Sequence, residues 1–278
     1  MSFPLTNDEI NALLKQAFDE DVKDGDITSL SVIDKDATLK AQMTAREEMI
    51  LAGLPLAIAA FNYLDPNCKL EAHANDGDHL SKGDVVLTIE GAARAMLTAE
   101  RTALNFVQHL SGIATLTNVY VNAIEGTNAT LLDTRKTLPG YRHLAKYATR
   151  MGGAKNHRMG LYDAVMIKDN HIAMNGSITD AVKRANAHGH SDVEVECDTL
   201  DQVKEALAAG ASRLLLDNMG PDMLRQAIAL NDRGIPLEAS GGVTLKTIRA
   251  IAETGVDYIS VGRITQSAPA IDIGLDFL

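Results

Sequence analysis

Between residues 130 and 262 the sequence repeats one unit: a short apolar run that ends in a polar residue or glycine, then a helical stretch. The runs are "TLLDTRK", "YDAVMIKDN", "DVEVECD", "SRLLLDN", "IPLEASGG" and "DYISVGR". With Lys168, Glu196, Asp217, Ser240 and Gly262 as markers, the steps are 28, 21, 23 and 22 residues. Each step has room for one strand and one returning helix. Stretches such as "TLDQVKEALAAG" and "TLKTIRAIAETG" supply the helices, and glycine closes most of them, as a C-terminal cap does. Repeated strand–helix units imply a parallel sheet with right-handed crossovers. Near-equal steps and continuously apolar strands favour a barrel over an open sheet. Six strands are evident, too few for a complete eight-fold barrel, and the dinucleotide fingerprint GxGxxG is absent.

Upstream the rhythm differs. Thr6 and Glu9 have capping-box spacing, and Ile10, Leu13, Leu14 and Phe18 recur at helical intervals. "ATLKAQMTAREEMILAG" alternates as strand with a turn near Arg46-Glu47, and "LPLAIAAFNYL" reads as a buried helix. "CKLEAHANDGDHLSKGDVVLTIEG" gives short strands separated by Asp-Gly and Lys-Gly-Asp turns. From Ala92 to about Glu125 the pattern is helical, and Gly112 is expected to divide it into two helices, with Arg101 in the first. The tail "PAIDIGLDFL" has the pattern of a last strand returning to the N-terminal part. The reading is therefore an N-terminal domain over 1–111, joined by 268–278, and a catalytic barrel over 112–267.

Charge narrows the function. The net charge is −11, yet residues 134–158, "TRKTLPGYRHLAKYATRMGGAKNHR", hold four Arg and three Lys with no acid. The acidic balance argues against a general nucleic-acid or membrane-surface binder, which needs a broad positive field. It suits a local anion site. The N-terminus lacks a basic start and a long apolar run, so a cytoplasmic location is expected. Cys68 and Cys197 form no CxxC pair and no zinc spacing.

In a barrel of this kind the site lies where strands end. Arg135, Lys136, Lys168, Glu196, Asp217 and Ser240 all fall there, so a shared site is expected rather than a series of wet loops. The last two strand ends, "ASGGV" and "SVGRI", are candidates for phosphate, since Gly241, Gly242 and Gly262 bring backbone N–H groups close and each opens a helix. Arg135 and Arg158 offer planar forks for carboxylate or phosphate. Thr134–Lys136 and Asn156–Arg158 flank a helix in which Arg142, Lys146 and Arg150 form either one exposed face or a contact with a partner. His157 is either a ligand contact or a core histidine. Glu196 and Asp217 suit Mg²⁺ or a developing positive charge, or else pair with the nearby cations. Lys168 at a strand end also fits a Schiff-base nucleophile.

The motifs "DTRKTLPGYR", "NHRMGLYDAVMIKDNHI", "EVECDT", "LLLDNM", "EASGGV" and "YISVGR", in this order, resemble the quinolinate phosphoribosyltransferase family, the decarboxylating enzymes of NAD synthesis. The resemblance covers nearly the whole chain. It implies an α/β protein with an N-terminal open-faced α/β sandwich and an incomplete, seven-stranded TIM-like α/β barrel. It implies transfer of phosphoribosyl from 5-phosphoribosyl 1-pyrophosphate to quinolinate with loss of CO₂, assisted by Mg²⁺. It also implies a homodimer, or a hexamer built as a trimer of dimers, in which Arg101 is donated to the neighbour's site. By the same resemblance Arg135, His157, Arg158 and Lys168 bind the quinolinate carboxylates or line their pocket, and Lys136 reaches the phosphoribosyl substrate. Thr134 lies in the same motif. Glu196 and Asp217 face the ribose and its Mg²⁺-bound pyrophosphate. Ser240, Gly241, Gly242 and Gly262 hold the 5′-phosphate, and Val261 and Arg263 stand among the substrate-binding residues.

Overall fold

A computed structural model of the chain describes residues 2–278. It divides into two compact units: residues 1–118, 138–153 and 267–278 form the first, and residues 119–137 and 154–266 the second. In chain order the elements begin α1 (Asn7–Asp21), α2 (Ile27–Val32), β1 (Thr38–Ala45), β2 (Met49–Ile50), α3 (Leu54–Leu64), β3 (Lys69–Ala72), β4 (His79–Leu80), β5 (Val85–Ala92) and α4 (Ala93–Ala123). They continue β6 (Thr130–Leu132), α5 (Arg142–Met151), β7 (Val165–Ile167), α6 (Asp169–Asn175), α7 (Ile178–Ala187), β8 (Val193–Cys197) and α8 (Leu200–Ala209). The last are β9 (Arg213–Asp217), α9 (Pro221–Leu230), β10 (Leu237–Ser240), α10 (Ile248–Ala252), β11 (Tyr258–Ser260), α11 (Arg263–Gln266) and β12 (Ile273–Phe277).

The first unit is built on an antiparallel sheet in the order β12-β1-β5-β3. Alternation along the strands separates its faces. Met43, Leu87 and Ile89 enter a core shared with Leu14 and Phe18 of α1, Ala57 and Phe61 of α3, and Met96, Ala103 and Val107 of α4. The opposite face is polar: Gln42 and His73 bond the Thr88 hydroxyl, and Lys69 pairs with Glu90. A sheet covered on one side and wet on the other is the open-faced sandwich. The Thr6–Glu9 capping box opens α1. Asp76 caps α3 by accepting the N–H groups of Gly53 and Leu54, and it accepts the Tyr147 hydroxyl of α5 as well.

Two expectations fail here. Gly112 does not break a helix, because α4 runs unbroken for 31 residues. Its glycine answers a packing demand: a Cβ at this position would lie 2.0 Å from the Pro269 carbonyl oxygen and 3.1 Å from the Ala270 Cα. Nor do Arg142, Lys146 and Arg150 form an exposed face. Residues 144–149 of α5 are all buried, Lys146 completely, because Leu144, Ala145 and Ala148 pack into a core with Ile50, Leu56, Leu110 and Ile113. Helical spacing finds a stripe but cannot say how many sides of the helix are covered.

The second unit carries a parallel sheet in the order β6-β11-β10-β9-β8-β7. A single parallel bridge joins Leu132 of β6 to Lys155, so residues around 155 add a seventh, minimal rung. Val193, Val195, Leu214, Leu216, Leu237, Ala239 and Ile259 are fully or almost fully buried, as strands covered on both faces must be. Thr199 and Gln202 form a second capping box at α8, and Gly210 closes that helix in the left-handed conformation. Both cysteines are free thiols, and burial pushes Cys197 up to about 12. No helix among the described residues is long and apolar enough to cross a membrane.

The close approach at Gly112 gives a direct test. Gly112→Ala should destabilise the fold by about 1–3 kcal/mol, since a methyl group forced against backbone cannot be relieved by a rotamer change. Denaturant unfolding should show a lower midpoint, and an unchanged midpoint would mean that the 269–270 segment does not pack there.

Candidate active site

The six strands of the second unit deliver their carboxyl ends to one rim, and most of the expected site residues lie on it. Lys168 follows β7 directly and donates to the Glu196 carboxylate of β8. Its own N–H is fixed by His171 Nδ1 at 2.9 Å. Asp217 ends β9, half-buried, and takes the Asn218 side-chain N–H at 2.6 Å. Burial and the Asp198 charge raise the Asp217 pKa, while the charges of Lys168 and Lys136 oppose that rise, so both ammonium groups act on the same carboxylate.

The first grip, Thr134–Lys136, follows β6. The Thr134 hydroxyl accepts the Lys136 N–H at 3.1 Å, a local turn that turns the chain back over the rim. The Lys136 carbonyl accepts the Thr265 hydroxyl at 2.8 Å, and the lysine stem lies against Gly262. The second grip, Asn156–Arg158, is tied to the first by a residue the sequence reading passed over. Asp133 is completely buried, accepts the Asn156 side-chain N–H at 2.6 Å, and accepts the His157 backbone N–H at 2.8 Å. A charged acceptor strengthens each such bond to about 1.5–3 kcal/mol, so one acid holds both cationic segments in register. The available signal was a lone acid directly behind the apolar run "TLLD".

Arg158 lowers its pKa, first through burial and then through the neighbouring Arg135, with Glu194, Asp163 and Glu196 compensating in part. The two guanidinium groups are thus held near each other on the rim. Arg158 is further directed by donation to the Ala164 carbonyl at 3.1 Å. A turn closed by Asp163, which accepts the N–H groups of Met159 and Gly160, carries the chain from Arg158 to β7.

Ser240 ends β10, and its carbonyl accepts the Asn218 N–H at 2.8 Å. This pulls the β9 and β10 ends together and leaves no room for a side chain between them: a Cβ on Gly241, whose φ is +89°, would lie 2.2 Å from Asn218 Oδ1. The helices after the two glycine loops, α10 and α11, have only five and four residues. Little macrodipole arises from so few peptides, so an anion there depends on loop amides and side chains instead of the helix field. Val261 is buried, and its N–H is given to the Leu132 carbonyl, so neither its side chain nor its amide can serve a ligand. Arg263 is exposed at the start of α11. Arg101 is exposed on α4 and belongs to the first unit.

His157 is the residue whose expected part changes most. Its Nδ1 accepts the Arg158 backbone N–H at 2.7 Å. Its Nε2 faces two buried carboxylates, Glu238 at 3.3 Å and Glu194 at 3.4 Å. Burial lowers the His157 pKa, and the facing Glu194 and Glu238 carboxylates raise it. The geometry identifies the proton concerned: a nitrogen accepting an N–H carries none itself, so the ring proton is on Nε2, toward the acids. Glu194 and Glu238 were not foreseen. The signal was an acid inside a strand buried on both faces, in "DVEVECD" and "PLEAS", where every other position is apolar.

Mg²⁺ prefers one or two carboxylates plus substrate phosphates, keeping several waters. Glu196 and Asp217, on adjacent strand ends, fit that donor set. Glu196 is already engaged with Lys168, whereas Asp217 has a raised pKa and incomplete cationic compensation.

Comparison with known proteins agrees along the whole chain. The family model described as quinolinate phosphoribosyl transferase, C-terminal domain, matches residues 113–276, and the N-terminal domain model matches residues 26–111. The probable nicotinate-nucleotide pyrophosphorylase [carboxylating] of Bacillus subtilis (strain 168) is 45% identical over 270 residues, which are 96% of this chain and 93% of that protein. The solved nicotinate-nucleotide pyrophosphorylase from Francisella tularensis superposes with a TM-score of 0.94 at 41% identity, covering 99% of this chain and 98% of that one. A solved structure from Streptococcus pyogenes gives 0.93, also at 41% identity and covering 99% of both chains. With both domain models matched in order and near-complete overlap, the chain belongs to the quinolinate phosphoribosyltransferase family.

Proposed function

We propose that the chain catalyses the reaction of its family: transfer of phosphoribosyl from 5-phosphoribosyl 1-pyrophosphate to quinolinate, giving nicotinate mononucleotide, CO₂ and pyrophosphate in NAD biosynthesis. The observation that carries this reading is the convergence of Arg135, Lys136, Arg158 and Lys168 with Glu196 and Asp217 on one rim of the barrel. A dicarboxylate and a polyphosphate both need concentrated cations, and an otherwise acidic protein has gathered them in one place.

Arg135, Arg158 and Lys168 grip the quinolinate carboxylates, with His157 behind Arg158 in the pocket wall. The forks of the two arginines fix the ring plane, which sets the ring nitrogen in line with the anomeric carbon. Lys136 and the loops at Ser240–Gly242 and Gly262–Arg263 hold the phosphoribosyl substrate. The ring nitrogen forms its bond to the anomeric carbon as the bond to pyrophosphate breaks, and the electron pair leaves with pyrophosphate. The ribose passes through oxocarbenium character, which the Glu196 and Asp217 carboxylates stabilise electrostatically. Glu196 and Asp217 would hold Mg²⁺ together with the pyrophosphate, and the ion would supply charge neutralisation for the leaving group. The positive ring nitrogen then stabilises the electron pair left on the adjacent ring carbon as the carboxylate departs as CO₂, and that pair takes up a proton. Lys168 serves as a cation, paired with Glu196. The subunits form a homodimer, alone or within a hexamer of three dimers, in the cytoplasm, and exposed Arg101 completes the neighbour's site.

Product analysis should find nicotinate mononucleotide and CO₂ from quinolinate, with activity lost in chelator and restored by Mg²⁺; activity on nicotinate alone would overturn the assignment. Arg101→Ala and Lys168→Ala should each be nearly inactive. A mixed dimer of the two should regain a fraction of wild-type turnover, and a verified mixed dimer with none would sink the shared site. Gly241→Ala should raise KM for 5-phosphoribosyl 1-pyrophosphate about tenfold or more, since a misplaced binding loop costs at least that much. Its KM for quinolinate should change little in steady-state assays.

A further inference from the structure

Below the rim, the barrel interior holds an acid pair with no part in the chemistry just described. Glu238 of β10 is completely buried, and Glu194 of β8 nearly so, two residues before Glu196. Alternation puts Glu194 and Glu196 on the same side of β8, one pleat apart in depth. Glu196 serves Lys168 above, and Glu194 serves His157 beneath. Glu238 Oε2 is 3.3 Å from His157 Nε2 and 4.0 Å from an Arg213 guanidinium nitrogen, and Arg213 lies over the Tyr258 ring at 4.6 Å. Two buried carboxylates can coexist only with such cationic and donor partners.

His157, Glu194 and Glu238 also have the composition of a metal site, with their ligand atoms within 4.8 Å of one another. The tautomer argues against that use. Nδ1 accepts the Arg158 N–H, so Nε2 bears the ring proton and has no lone pair for a metal. The cluster is a strut of close polar contacts, with Nε2 3.3 Å from Glu238 and 3.4 Å from Glu194.

We infer that Glu238, with Glu194 beside it, is a positioning residue: the two acids hold the Nε2–H edge of His157 inside the barrel, and the ring in turn holds the backbone N–H of Arg158, fixing where its guanidinium leaves the chain. Asp133 acts on the same segment from the other side through the His157 backbone N–H. Rotating the ring would strip both acids of their donor and release Arg158, so the segment has one arrangement and the grip is set before the ligand arrives. The inference rests on the reading of Arg158 as a grip for the dicarboxylate, and it extends that reading to residues that never touch substrate.

The test uses Glu238→Met, which keeps the volume, and Glu238→Gln, which keeps an acceptor for Nε2–H, in the full-length enzyme. Glu238→Met should raise KM for quinolinate about tenfold, the scale of a displaced binding group, while KM for 5-phosphoribosyl 1-pyrophosphate and kcat stay within about twofold. Glu238→Gln should restore most of the loss. Unchanged quinolinate KM in Glu238→Met overturns the inference, as does a parallel change in both KM values and kcat, which would mark a general structural role. If Glu238→Met does not fold, Glu194→Gln and ¹⁵N chemical shifts of the wild-type His157 ring carry the test. A proton on Nε2 together with a selective quinolinate KM effect supports the strut. An Nδ1–H tautomer, or zinc or manganese bound stoichiometrically and lost with Glu194→Gln, overturns it. The ring shifts need no turnover, so an enzyme inactive on quinolinate would refute the proposed reaction and leave the strut separately decided.

Discussion

Cations brought together to hold an anion repel one another until the anion arrives, and the barrel rim is organised around that repulsion. Burial lowers the pKa of Arg158, and the neighbouring Arg135 charge lowers it further. Each cationic segment is answered by an acid set deeper: Glu196 for Lys168, Asp133 for Asn156–Arg158, and Glu194 with Glu238 for His157. Hydrophobic replacements are often well tolerated where buried ions serve stability alone, whereas these acids also fix Lys168, the Asn156–His157 backbone segment and the His157 ring. The acidity of the chain as a whole is therefore compatible with an anion site, because part of it is the counter-charge that keeps the site assembled.

This layering relates sheet register to chemistry. A strand shows alternate residues to its two faces, so one segment such as "VEVEC" can send two acids to the same side at different depths. The upper one meets Lys168 and the lower one faces His157. The parallel register, in which Glu196 stands opposite Leu215 and Ser240 opposite Asp217, sets the heights of these groups without any loop having to do so. Precision at the rim is inherited from backbone hydrogen bonds far from solvent, and the strands carrying it are among the most deeply buried parts of the unit.

The strand–helix steps were legible because burial on both faces writes itself as uninterrupted apolar runs, and the rim residues were legible because polar residues must stop those runs. The strut was not. An acid inside an apolar strand looks like a flaw in the pattern, and only the fold shows that Glu194 and Glu238, 44 positions apart in sequence and separated in the sheet by β9, face the same imidazole. Gly112 was misread for a related reason. Glycine marks either a break in local structure or a close approach by distant chain, and the carbonyl of Pro269 that decides the matter lies more than 150 residues away. Local propensity carries no information about such a neighbour.

The basic run at 134–158 shows the same division between local pattern and tertiary use. Its two ends lie in the second unit and its middle in the first. The ends are short, turn-forming and held by Asp133, as groups meant to meet a ligand should be. The middle is a buried helix whose Tyr147 hydroxyl reaches Asp76, the residue that also caps α3. A continuous stretch of positive charge is thus divided between the two units, its middle on a largely buried helix. Positive charge in sequence proves to be a poor measure of positive charge at the site. What counts is which acids each cation meets in the fold: Lys168 meets Glu196, Lys136 acts on Asp217, and Arg158 stands among Glu194, Asp163 and Glu196.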